Sequence, residues 1–382
     1  MGVIHVGIVG LSANSSGASW AKLTHLPYLQ ASSAYEITGV LNSSLASSKG
    51  AIETLRLSSL VKPYENIDDM ASDTNIDLIV VCTAVRLHAH FVRAAIRHGK
   101  NVYCEWPLGK SFDEANELAT LGKQKGVATY VGLEGRLSPV SVKLRKLITS
   151  GAIGQVTSTD VHGSLGPPPK VWSERVLSYL DVHSGQSPLN TRVAHFLEAF
   201  CFTVGEFESF QPLLVTHQTA QEVNVYDVPL TQLAEAMRNP DIPFKTVKRT
   251  APDEVLLQGK LTSCAVANIH FRSSDNDADG NTFRWLISGT EGLVEVTQQA
   301  GQPARDKSTI IRLVQGGKVT NLELDWETEG EFKMFGDQVM LATPGRNYKA
   351  IAESNGEAIM DFEHAAKRHK MVDTIIKRGL TS

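Results

Sequence analysis

The sequence predicts an α/β plus α+β protein, with a doubly wound parallel sheet over residues 1–127 and an open, mainly antiparallel sheet domain over residues 128–382. Three observations carry this expectation. In the first third, short continuous apolar runs alternate with amphipathic stretches, which is the pattern of parallel strands covered by helices on both faces. After the turn "GAIG" at 151–154 the chain changes to longer, alternating segments, the pattern of antiparallel strands with one buried face. The length, 382 residues, exceeds one ordinary core at roughly 100–200 residues per domain.

Taken in order, "VIHVGIVGL" (3–11), "YEITGVLN" (35–42), "IDLIVVCTA" (76–84), "NVYCEW" (101–106) and "ATYVGLE" (128–134) read as Val- and Ile-rich buried strands. Between them, "HAHFVRAAIRHG" (88–99) and "FDEANELATLGKQKG" (112–126) repeat apolar residues at helical spacing and stop at glycine. A helix is expected around 139–150. Strands follow in "QVTSTDVHG" (155–163), "EVLLQGKLTSCAVANIHFRS" (254–273) and "FRWLISGTEGLVEVT" (283–297), and the amphipathic segment 361–378 is expected to be a last helix packing back on the body.

Bulk composition excludes several classes. A net charge of -4 offers no basic face for direct nucleic-acid binding. No apolar run approaches the ~20 residues of a membrane-spanning helix, and the first residues enter a strand without a signal segment. Cys82, Cys104, Cys201 and Cys264 lie far apart without C-x-x-C spacing, so neither a zinc site nor a disulfide framework is expected. A soluble cytoplasmic protein is the expectation.

The stretch "GIVGLSANSSGASWAKLTHLPYL" (7–29) places glycines between the first strand and a helix. Glycine there lets backbone approach a pyrophosphate, whose charge the helix N-terminus stabilises. The pattern is incomplete: Gly7 and Gly10 are present, Leu11 and Ser12 follow, and the next glycine is Gly17. A Rossmann domain binding a dinucleotide through Gly7, Gly10, Leu11 and Ser12 is one reading, and a Rossmann-like domain whose loop binds nothing is the other. The second strand ends in Asn42, Ser43 and Ser44, with Lys49 nearby. An acid at that point would hold the NAD ribose and repel the NADP 2′-phosphate. Its absence leans the cofactor from NAD toward NADP.

Together with "VVCTAVRLHAHFVRAAIRHGKNVYCEWPL", "GRLSPVSVKLRKLITSGAIGQV" and "PGRNYKAIAESNGEAIMDFEHAAKRHKMVDTI", this stretch resembles the glucose-fructose oxidoreductase and inositol dehydrogenase (Gfo/Idh/MocA) family. Within it the chain is similar to the branch containing the yeast galactose-pathway co-repressor. The resemblance implies a Rossmann domain binding NAD(P), a C-terminal open sheet covering the nicotinamide, and a homodimer formed through that sheet. It also assigns candidate cofactor contacts to Thr83, Ala84 and His88, where the family has T-P-x-x-x-H, and to Glu105 and Trp106, where it has E-K-P.

In the family's enzymes that lysine moves the proton of the substrate hydroxyl. An indole carries one N–H donor and accepts no proton, so Trp106 cannot replace it as a base. The family's remaining catalytic segment corresponds to "SYLDVHSGQSPLNTRVAHFLEAF" (178–200), making His195, Asp181, Tyr179 and His183 candidates, with Glu198 one helical turn after His195 expected to orient its imidazole. Arg136 either reaches the cofactor or anchors the next helix. Three functions follow. The first is an NAD(P)-dependent oxidoreductase acting on a hydroxyl or carbonyl of a sugar, polyol or other small metabolite. The second is a non-enzymatic dinucleotide-binding regulator with a transcription-factor partner and a nuclear location, and the third a redox-neutral lyase, cyclase or isomerase.

Overall fold

Leu78–Val81 is buried at all four positions, and Val6, Ile8 and Val9 on the neighbouring strand are equally inaccessible. Strands of this kind need cover on both faces, and they form the centre of a parallel sheet. The computed structural model describes residues 2–13, 19–217, 221–274, 278–300, 305–326, 329–336, 338–356 and 359–380. Two compact units divide the chain: Met1–Glu134 with Glu327–Gly336 and Leu341–Lys370, and Gly135–Trp326 with Asp337–Met340 and Met371–Ser382.

The first unit holds β1 (Ile4–Val9), β2 (Tyr35–Leu41), β3 (Lys62–Tyr64), β4 (Leu78–Val81), β5 (Asn101–Glu105) and β6 (Thr129–Gly132). Their order is β3-β2-β1-β4-β5-β6, all parallel. The chain therefore reverses its direction of travel between β1 and β4, the switch point at which doubly wound sheets open a crevice at their carboxyl edge. Edge strand β3 was not expected; it has three residues and a central proline, which only an edge tolerates. Helix Phe112–Lys125 begins where Ser111 Oγ accepts the Glu114 N–H at 3.3 Å and ends at Gly126 with φ 66°. The helix after β1 is less regular than its sequence suggests. Ala21–His25 forms a π turn before the α segment Leu26–Ala31, because Pro27 has no N–H to return to the preceding turn.

The second unit contains β7 (Val156–Ser164), β8 (Val171–Ser173), β9 (Phe207–Val215), β10 (Glu222–Tyr226), β11 (Phe244–Lys248), β12 (Glu254–Leu261), β13 (Val266–Arg272), β14 (Phe283–Gly289), β15 (Leu293–Gln298), β16 (Ile310–Gln315) and β17 (Lys318–Leu322). Eight of these form one sheet, β17-β16-β15-β14-β7-β13-β12-β9, antiparallel except where β13 meets β7. Strands β8, β10 and β11 form a separate small sheet. One face of the large sheet carries an aromatic core in which Phe196 and Phe200 of helix Ala194–Val204 pack on Phe271, Phe283 and Trp285. Trp285 satisfies its buried indole N–H on Thr159 Oγ1 at 2.7 Å. The opposite face is a charged ladder in which Arg284 and Arg312 both pair with Glu295, and His270 with Glu254.

Candidate functional site

In the first unit, the turn after β1 is shaped by Gly10. Its φ is +96°, and a Cβ there would lie 2.4 Å from the Cys82 carbonyl oxygen, so only glycine fits. Gly7 does something different from what its motif suggests. It sits inside β1, where a Cβ would meet Ile76 and Met70 side chains at 3.2 Å, so it serves strand packing rather than phosphate approach. Leu11 is fully buried and presents only backbone to the turn. Its carbonyl accepts Asn42 Nδ2–H at 2.8 Å, and the Ser12 N–H turns back to the Gly10 carbonyl at 3.1 Å. Gly17 lies outside the described residues. At the end of β2, Ser44 Oγ caps helix Leu45–Thr54 by accepting from the Ser47 N–H, while Ser43 and Lys49 are exposed.

The carboxyl ends of β4 and β5 are braced by His88. Its Nδ1 lies 2.8 Å from the Pro107 carbonyl oxygen and its Nε2 2.9 Å from that of Thr83. Burial pushes its pKa down, and a neutral imidazole carries a single N–H, so it donates to one of these two carbonyls and only lies against the other. Ala84, exposed, leads into helix Val85–Arg97. The Thr83 hydroxyl is buried with no hydrogen-bond partner among the described residues. Trp106, joined to Pro107 by a cis peptide, is buried with its ring centroid 4.3 Å from that of His369. His369 is pushed down to about 3 by burial and by His88.

Glu105, one residue earlier, is the group sequence reasoning underused. Its Oε1 lies 2.9 Å from Nε2 of His25, a fully buried residue in the π turn. His25 Nδ1 in turn lies 2.6 Å from Tyr348 Oη. His25 and Tyr348 were not among the expected site residues. They are 323 positions apart, and the available hint was the histidine before Pro27 in "THLPYL". Burial raises the Tyr348 and Tyr103 phenols and the Cys82 and Cys104 thiols well above their usual ranges, and Glu105 adds to each shift. The site is thus a carboxylate and an imidazole among neutral hydroxyls and thiols.

In the second unit, helix Ala194–Val204 sets His195 against Arg305, whose Nη2 lies 2.8 Å from His195 Nδ1. Burial, and after it the Arg305 charge, hold the His195 pKa well below the usual histidine range. The expected pairing of Glu198 with His195 does not form. Glu198 Oε1 instead accepts from Arg136 Nη2 at 2.6 Å and Nε at 3.1 Å, because that carboxylate is 2% exposed and needs a full cation beside it. Arg136 also lies over the Phe202 ring, so both contacts tie it to helix Ala194–Val204 rather than to the helix that follows it in sequence. Asp181 is engaged by the His183 N–H and the Thr250 hydroxyl, each at 3.0 Å, His183 itself is exposed, and Tyr179 packs on Trp172. The structure gives all three partners other than His195.

Residues 4–133 match the family described as "Oxidoreductase family, NAD-binding Rossmann fold", and residues 139–298 match "Gal80p, C-terminal domain". The chain belongs to this Gfo/Idh/MocA oxidoreductase family, with a Gal80p-type C-terminal domain. Among similar proteins, dehydrogenase aclE of Aspergillus oryzae is 26% identical over 382 residues, covering 98% of this chain and 95% of that protein. The galactose/lactose metabolism regulatory protein GAL80 of Kluyveromyces lactis is 31% identical over 77% of this chain, which spans 65% of that longer relative. The crystal structure of a super-repressor mutant of Saccharomyces cerevisiae Gal80p superposes with a TM-score of 0.81 at 21% identity, covering 99% of this chain and 96% of that one, a likeness of fold. Among the described residues no helix is long and apolar enough to cross a membrane, and no cluster of three or more His, Cys, Asp or Glu is placed to hold a metal ion.

Proposed function

We propose that this family member is an NAD(P)-dependent oxidoreductase acting on a hydroxyl or carbonyl of a sugar, polyol or similar small metabolite. The observation that carries the reading is the carboxyl edge of the Rossmann sheet. There the Gly10 turn is kept, and Thr83 Oγ1 and Glu105 Oε1 are buried without hydrogen-bond partners among the described residues. Native proteins leave few such atoms unsatisfied, and a functional role is one explanation for those that remain. Those residues fit a dinucleotide: Gly10 admits backbone to the pyrophosphate, and Thr83 and Glu105 stand along the β4–β5 half. When bound, the dinucleotide supplies hydride acceptor or donor chemistry. The end-to-end similarity to a protein named a dehydrogenase supports the enzyme reading over that of the longer GAL80 relatives.

Absence of a carboxylate at Asn42, Ser43 and Ser44 supports NADP over NAD, or use of both. His195, with Nδ1 occupied by Arg305, fits a hydrogen-bond donor to a substrate oxygen rather than a base. A cytoplasmic homodimer meeting through the open sheet completes this reading. Purified protein is tested by oxidation of NADPH and NADH against a panel of aldoses, ketoses and small ketones, and by the reverse reaction with polyols. Turnover of at least one substrate is expected; cofactor binding without turnover on any of them would sink it.

Two observations favour a second reading, a dinucleotide-binding regulator of a transcription factor. The lysine position holds Trp106, and residues 139–298 match a regulator's domain. Dinucleotide-dependent capture of a transcription factor from the native source, combined with no turnover, would decide for it.

A further inference from the structure

Asn42 follows directly on β2, where an acid would hold the adenosine ribose of a dinucleotide. Its side chain is committed to the fold instead. Nδ2 donates to the Leu11 carbonyl at 2.8 Å and to the Ser47 carbonyl at 3.3 Å. A carbonyl oxygen only accepts, so the amide nitrogen has to face both, and its two hydrogens are both used. The Asn42 backbone N–H goes to Ser48 Oγ at 2.9 Å.

These bonds explain why the corner holds an amide. Leu11 belongs to the turn that Gly10 opens, and the Gly10 N–H donates to the Leu41 carbonyl at 2.9 Å. Ser47 lies in the first turn of helix Leu45–Thr54. Ser48 is fully buried, and its one hydroxyl hydrogen has the Tyr64 carbonyl at 3.0 Å and the Ser44 carbonyl at 3.2 Å within reach. Asn42 thus ties the glycine turn to the corner between β2 and the helix that follows it. An aspartate would aim carboxylate oxygens at two carbonyl oxygens and lose both bonds.

The two serines beside it differ in what they can offer a ligand. Ser44 is exposed, but its Oγ accepts the Ser47 N–H at 3.1 Å and caps the helix. Ser43 is exposed as well, and among the described residues its hydroxyl has no hydrogen-bond partner. It stands two residues beyond β2, at the carboxyl edge where the sheet opens. A serine hydroxyl donates and accepts without charge, so it suits a 2′-phosphate and a 2′-hydroxyl alike.

We propose that Ser43 reads the 2′ substituent of the adenosine ribose, and that Asn42, at the usual acid position, does not. The proposal rests on the dinucleotide reading above. It is tested by fluorescence titration of the full chain with NADPH and NADH, for the wild type, Ser43→Asp, Ser43→Arg and Asn42→Asp. The ratio of the two dissociation constants cancels general damage to a variant. Ser43→Asp should shift the ratio about tenfold toward NADH, because a carboxylate there repels a 2′-phosphate and accepts from a 2′-hydroxyl. Ser43→Arg should shift it toward NADPH. Asn42→Asp should weaken the binding of both cofactors and leave their ratio unchanged. An unchanged ratio in either Ser43 variant would overturn the assignment, as would a shift toward NADH in Asn42→Asp. If Asn42→Asp does not fold, the two Ser43 variants, changed at an exposed position, decide alone. A wild type that binds neither NADPH nor NADH would instead remove the dinucleotide reading itself, and the assignment with it.

Discussion

Arg305 Nη2 donates to His195 Nδ1 at 2.8 Å. A guanidinium is always a donor, so the histidine nitrogen facing it has to be the acceptor, and the ring's single proton sits on Nε2. Burial and the Arg305 charge both disfavour a second proton. Nitrogen-15 NMR of the labelled protein should therefore show His195 as the Nε2–H tautomer, without titration between about pH 5 and 8. Arg305→Met should raise its pKa toward the ordinary range. A His195 that titrates near about 6.5 in the wild type would contradict the contact.

Arg136 and Glu198 behave as a unit. Glu198 is 2% exposed, and removing its partner leaves a buried carboxylate uncompensated. Arg136→Met should cost about 3–5 kcal/mol in urea unfolding, whereas Arg136→Met combined with Glu198→Leu should recover most of that loss. Additive losses in the double variant would show the pair is uncoupled.

The two glycines of the first turn separate packing from function. Gly10→Ala combines a Cβ contact of 2.4 Å with backbone at φ +96°. Loss of about 1–3 kcal/mol and of NADPH binding is expected. Gly7→Ala meets only the tips of Ile76 and Met70, so a cost below about 1.5 kcal/mol and retained binding are expected. Equal effects on NADPH fluorescence titrations would refute the distinction.

Acid should destabilise the first unit through His369. Its folded pKa is pushed down to about 3, so below about 6.5 the unfolded chain takes up a proton that the folded chain refuses. Its share of stability is whole above that value and falls as pH drops toward the folded pKa, by about 1.4 kcal/mol per pH unit. His369→Phe should flatten the pH dependence of the urea midpoint over that window. An unchanged slope would place the titrating group elsewhere.

Local signals made much of the fold legible. Continuous apolar runs marked β1, β2, β4, β5 and β6, Gly126 ended a helix, and the motif order identified the family. Strand β3 escaped because three residues carry no period. The site was less legible because its contacts are long-range. His195 and Glu198 share a helical face, yet Arg305, 110 positions away, takes the histidine and Arg136, 62 positions away, takes the acid. Spacing along a helix shows which side chains can meet and is silent about a stronger partner arriving from another strand or loop. His25 was hidden similarly, since its partners come from the end of β5 and from the helix Thr343–Ala352.

The most direct test of the oxidoreductase reading follows the hydride itself. Purified protein is incubated with NADPH deuterated at the transferable position, together with the panel of sugar and small-molecule carbonyls, and the products are read by mass spectrometry. Deuterium bound to carbon in at least one alcohol product is the predicted result. Bound cofactor with no deuterium transferred to any member of the panel would contradict the account.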